Sequence, residues 1–169
     1  MKIIEEIKKE HDDIRAYFMR MENEEDKAAE ILNEMAAFVL SHHESEENTV
    51  FPELSNKKEV KKDKNALKAE HAAIRRTLQI VLDTPDDDPM WEAHVHVLKD
   101  LLTHHLQEEE EKLFKHIREE MNEDEMNAVY KEFEDYFNKI KPELQKKVDE
   151  KMVAKPQDEI PKTDSNEKK

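Results

Sequence analysis

The 169-residue chain contains no glycine and no cysteine. Without glycine, tight hairpin turns and phosphate-cradling loops lose the residue they normally depend on. Without cysteine there is no disulfide framework and no thiolate metal site. Long apolar runs are missing as well. The opening stretch MKIIEEIKKEH is charged and does not read as a signal peptide, and no later segment is apolar for long enough to cross a membrane. The chain is therefore expected to be soluble and cytoplasmic, with no membrane partner. Positive charge is in short supply: 28 Lys and Arg stand against 43 Asp and Glu, a net charge of −15. Such a surface repels nucleic acid and anionic lipid and draws cations. Acidity also serves plain solubility, so charge alone does not choose a function.

What is present favours helices. Charged residues make up 42% of the chain, and Lys, Glu, Leu, Met and Ala are plentiful. The length suits one domain with one substantial core. Ile4, Ile7, Ile14 and Phe18 recur at helical spacing and predict a helix over 2–22, with His11 in the place between Ile7 and Ile14. Leu32, Met35 and Val39 start a second seam, over 27–55, that continues onto His42 and Glu46 before Pro52. A third, over 60–83, reads Leu67, His71, Ile74, Leu78, Val81. A fourth, over 89–120, begins at an Asp88–Pro89 cap and runs Val95, Leu98, Leu102, His105, Glu109. Asn122 and Glu125 resemble the cap of a fifth, carrying Met126, Val129, Phe133 and Phe137. From about Met152 the chain is charged, Pro-containing and poor in apolar residues. Residues 151–169 are expected to form a disordered tail beyond a domain spanning 1–150.

The chain repeats itself. EHDDIR at 10–15 matches EHAAIR at 70–75, and SHHESEENTVF at 41–51 matches HHLQEEEEKLF at 104–114. A doubled helical hairpin is a natural route to an antiparallel up-down four-helix bundle. Six polar residues then occupy inward seams: His11, His42, Glu46, His71, His105 and Glu109. A buried polar group without a partner costs roughly 2–7 kcal/mol, so six together require a shared one. Each histidine lies near the middle of its helix, and antiparallel neighbours put their midpoints at one level. His42 with Glu46, and His105 with Glu109, are each one helical turn apart. Each pair can offer a nitrogen to one metal while its carboxylate reaches a second. Imidazole and carboxylate without sulfur suit non-haem iron, manganese or zinc.

These motifs resemble the hemerythrin-like family, also called the HHE cation-binding domain: one His on the first helix, H-x-x-x-E on the second, one His on the third and H-x-x-x-E on the fourth. The resemblance covers residues 1 to about 150. It implies a hemerythrin-like all-α bundle with an additional C-terminal helix. It also implies two non-haem iron ions bridged by an oxo or hydroxo group, with His11, His42, His71 and His105 as terminal ligands and Glu46 and Glu109 as bridges. Oxygen-carrying members have a second His one turn before the third-helix His. Here that place is Leu67, with Arg75 one turn after, which implies a more open coordination. The expected function is binding of oxygen or nitric oxide for sensing, storage or delivery. The alternatives are donating or sensing iron, including repair of iron centres, or a peroxidase or nitric-oxide-handling activity at the same irons.

The neighbours of the six residues leave choices open. Glu110 is an alternative to Glu109 as the bridge. His43 and His104 face about 100° away from the ligands beside them and read as helix-interface residues or outer partners of ligands. Glu44, Glu47, Glu108 and Glu111 read as a solvated face, and His94, His96 and His116 as surface or partly buried. Tyr17, Tyr130, Tyr136 and Trp91 read as packing residues.

Overall fold

Local chemistry starts the helices where the sequence points. Asp88 accepts a hydrogen bond from the Met90 amide at 2.9 Å, with Pro89 as the first helical residue. Asn122 and Glu125 form a reciprocal capping box. In the computed structural model, which describes residues 1–158, six α-helices follow in order. They are α1 Lys2–Asn23, α2 Ala28–Ser45, α3 Lys58–Asp83, α4 Pro89–Glu108, α5 Phe114–Glu120 and α6 Glu123–Asp149. The architecture is an all-α helical bundle, with no strand among the described residues. Short loops pair α1 with α2 and α3 with α4, and α6 closes over α1 and α2. None of the helices is long and apolar enough to cross a membrane, among the described residues.

Two of the expected helices are interrupted. The second and fourth widen into π-helical turns at Glu46–Val50 and Glu109–Leu113. The Phe51 amide reaches back to the Glu46 carbonyl and the Phe114 amide to that of Glu109. A π turn inserts one residue into a helix, and such turns gather at functional sites. Both begin on the candidate bridging glutamates, at equivalent places in the two repeats. Leading into the first of them, Ser41, Ser45 and Thr49 stack along one line of the second helix. Each hydroxyl donates to the carbonyl four residues back, at 2.6–2.7 Å, so these buried side chains cost no lost hydrogen bond.

The apolar core falls into two parts. One contains Ile14, Phe18, Leu32, Met35, Val39, Ile74, Leu78, Leu98 and Leu102. The other contains Ile3, Ile7, Val50, Phe51, Leu67, Leu113, Phe114 and Phe133. On every one of the four long seams the change from one part to the other is a His or a His–Glu pair. A buried polar layer thus cuts the bundle at mid-height.

The expectation of a disordered tail from about Met152 fails for residues 152–158. The α6 helix ends in a reversal: Met152 bonds back to Lys147 O and Lys151 to Val148 O, with Lys151 at φ 56°. The chain then doubles back along α3. Gln79 binds the amides of Val153 and Ala154, and both Val153 and Asp158 are buried. The remainder of that expected tail, 159–169, lies outside the described residues.

Candidate metal centre

His11, His42, His71, His105, Glu46 and Glu109 all meet in the polar layer, each 0% exposed. The imidazole Nε2 atoms face the two carboxylates. His42 Nε2 is 3.2 Å from Glu46 Oε1, and His71 Nε2 is 3.6 Å from the same oxygen. Glu109 Oε1 lies 2.5 Å from His105 Nε2 and 3.9 Å from both His11 Nε2 and His71 Nε2. Two donors bound to one ion at ordinary lengths of about 2.0–2.2 Å stand roughly 3–4 Å apart. All but the shortest of these separations fall in that range.

Burial without hydrogen bonds makes the stronger test. The Nε2 atoms of His11, His42, His71 and His105, and all four carboxylate oxygens of Glu46 and Glu109, are buried with no hydrogen-bond partner among the described residues. Native interiors rarely leave such atoms unpaired, and each costs about 1–3 kcal/mol when they do. Their donor set, imidazole nitrogen and carboxylate oxygen, is that of a transition-metal site. The residues fit a bound metal.

The repeat also supplies the outer contacts. His42 Nδ1 is 2.8 Å from Glu10, and His105 Nδ1 is 2.7 Å from Glu70. Each E–H pair of the repeat therefore provides a histidine to the centre and a glutamate to the histidine of the next helix. His11 Nδ1 is 2.7 Å from Glu110. Such contacts fix ring orientation and leave Nε2 for a metal. The two glutamates of the fourth helix are placed differently: Glu109 faces the centre, while Glu110 contacts His11 from outside. Phe114 stacks on His11 at 6.2 Å, as Phe51 does on His71 at 6.0 Å.

His43 is where the sequence reading falls short. It is 1% exposed, and neither ring nitrogen has a hydrogen-bond partner. Its ring stacks on His71 at 3.9 Å and meets the His105 ring edge-on at 5.0 Å. Donor atoms of His43, Glu46, His71, His105 and Glu109 lie within 4.8 Å of one another, as do those of His11, His42, Glu46 and Glu109. The two groups share both glutamates and divide five imidazoles three to two. A signal was available: in the repeat, His43 aligns with Leu106, an apolar inward residue, and not with His104. The second helix is also covered by α6 on its far side, so two adjacent histidines can both be interior. His104, on the less covered α4, is exposed. His116 is buried against Asp63 at 2.8 Å, away from the centre. His94 is partly buried and His96 exposed.

Electrostatics set the protons a metal must displace. Burial, then the facing Glu109, hold Glu46 well above the ordinary carboxylate range. Burial would also raise Glu109, but His105 and contacts from Glu46 and His71 outweigh it and hold it well below. Burial would lower His105, yet Glu109 and Glu70 keep it up at about 9. Burial pushes His42 down to about 4 and His43 well below its usual value, so both rings are neutral and open to a cation. Glu10 is pushed up to about 8 by burial.

A family model described as the hemerythrin HHE cation binding domain matches residues 2–117. The match takes in the whole polar layer and stops before α6. Comparison with curated proteins and with solved structures finds no significant match.

Proposed function

The chain belongs to the hemerythrin HHE cation-binding domain family, and from that premise we propose that it is a non-haem di-iron protein that binds oxygen or nitric oxide for sensing, storage or delivery. Glu46 and Glu109, which belong to both donor groups, would hold both irons, with His43, His71 and His105 completing one set of donors and His11 and His42 the other. The observation that carries this reading is the unequal division of five imidazoles about two shared carboxylates. Fewer protein donors would face an iron held by His11 and His42, so a small ligand would be taken up on that side. Bound iron would supply reversible coordination and electron transfer to a diatomic ligand there. Phe114 beside His11 and Phe133 beside His42, with ring centres 6.2 Å away in both cases, keep that side apolar, which suits a small neutral gas. A surface groove of ≈ 580 Å³ reaches Glu110 and Phe114, the residues that back His11.

The test is a titration of the reduced, iron-loaded protein with oxygen and with nitric oxide, followed by visible absorption. A spectral change that reverses on removing the gas is expected. A spectrum that stays unchanged with both gases contradicts the proposal.

His43→Leu places in the second helix the residue that its repeat counterpart carries. The variant should fold, since Leu106 fills the matching position. It should bind the second metal at least about tenfold more weakly while keeping the first, read by a competing chromophoric chelator. Equal affinity for both metals would remove His43 from the ligand set.

A second reading, exchange of iron with other proteins, is favoured by Glu70, His104 and Glu108, whose donor atoms cluster outside His105. Fast loss of iron to a mild chelator, with no reversible gas response, would select it.

A further inference from the structure

The two repeats provide a comparison inside one molecule. His11 and His71 are equivalent, as are Glu110 and Glu47, and Arg15 and Arg75. On the His11 side the three form a closed chain. Arg15 Nη2 donates to Glu110 Oε2 at 2.6 Å, and the same oxygen is 2.7 Å from His11 Nδ1. On the His71 side the chain is open. Arg75 Nη1 stands 3.7 Å from Glu47 Oε2, and that oxygen stands 3.6 Å from His71 Nδ1. Neither is a hydrogen bond. His71 Nδ1 is buried with no hydrogen-bond partner, unlike the Nδ1 atoms of His11, His42 and His105.

The difference has a visible source. Asp158 takes the guanidinium of Arg75 with both oxygens, from Nε at 2.7 Å and Nη2 at 2.8 Å. Arg76 holds the Asp158 carbonyl at 2.7 Å, and Lys155 pairs with Glu44. Asp158 is 1% exposed and Arg75 5%, so this is a built contact and not a passing surface pair. Arg15 has no such competitor: its other partner is the exposed Asp12. A bidentate, buried carboxylate outcompetes a single half-buried one for the same arginine.

We propose that the C-terminal segment 153–158 controls the His71 side of the metal centre: by holding Arg75, Asp158 keeps Glu47 from closing on His71. Asp158 is a positioning residue, acting through Arg75 and Glu47. Outer carboxylates orient a ligating imidazole and raise its basicity, so the open arrangement weakens the grip of His71 on its metal. Anything that lifted the segment would convert that side to the closed arrangement seen at His11. The segment lies outside the stretch matched by the family model. The inference rests on the metal-site reading proposed above.

The test uses the full chain loaded with cobalt(II), and follows loss of metal to excess chelator by the cobalt absorption bands. Asp158→Ala frees Arg75. It should slow by about tenfold the release phase that His71→Ala abolishes, and shift that site's absorption. The melting temperature of the metal-free variant should fall, because buried Arg75 loses its partner. A merely structural strap predicts the opposite kinetic sign, since loosening it would speed release. Adding Glu47→Gln to Asp158→Ala should cancel the slowing. Release that is unchanged or faster in Asp158→Ala, or slowing that survives in the double variant, overturns the proposal. Wild-type protein that takes up no cobalt overturns the metal-site reading together with it.

Discussion

Stripping the protein of metal should lower its melting temperature by about 15–30 °C. A ligand present at a thousandfold over its dissociation constant stabilises the native state by about 4 kcal/mol, so the two proposed ions would contribute about 8 kcal/mol. For a chain of this size each kcal/mol moves the melting temperature by about 2–4 °C. The physical source is the polar layer. Nine buried atoms of His11, His42, His71, His105, Glu46 and Glu109 have no hydrogen-bond partner among the described residues. Their desolvation is offset only when cations are bound. The layer also separates the two apolar clusters, so its repulsions act at the middle of every long helix. Thermal unfolding followed by circular dichroism, with and without a strong chelator, measures the difference. Equal melting temperatures would mean that the layer is satisfied without metal.

Glu109→Ala should abolish binding of both metals, lowering affinity by more than about a hundredfold at each. Glu109 belongs to both donor groups and lies against His11, His71 and His105. Its neighbour sets the control. Glu110→Ala removes the outer contact of His11 and leaves the carboxylates of the centre in place. It should retain both metals and weaken only the His11–His42 side, by about 10–100-fold. Calorimetric titration with cobalt(II) distinguishes the two variants. Two metals bound normally by Glu109→Ala, or none by Glu110→Ala, would reverse the roles given to these residues.

Much of the centre is legible before any coordinates. His11, His71 and His105 each stand in an apolar seam at the middle of a helix, and helices joined by short loops bring those midpoints to one level. His43 escapes that reasoning because a helical wheel assigns one inward face per helix. The second helix has more than one, since α1, α3 and α6 all pack on it. Alignment of His43 with Leu106 carries the missing information. Leu67, one turn before His71, lies in the apolar core, and it is His43 of the second helix whose ring stands beside His71.

Two other features leave little trace in composition. The π turns at Glu46 and Glu109 involve no special residue, only the backbone reach of Phe51 and Phe114. The segment after α6 is poor in apolar residues and reads as a tail. It is held by one buried valine, one buried aspartate and amide contacts to Gln79. Its reversal uses Lys151 in a left-handed conformation where a glycine would ordinarily mark the turn. A chain without glycine hides that signal.

Elemental analysis of the purified protein after loading with ferrous iron and removal of excess metal is the most direct test of the central claim. Two irons bound per chain is the predicted result. A ratio of one, or of none, would contradict a paired-metal centre at mid-height in the bundle.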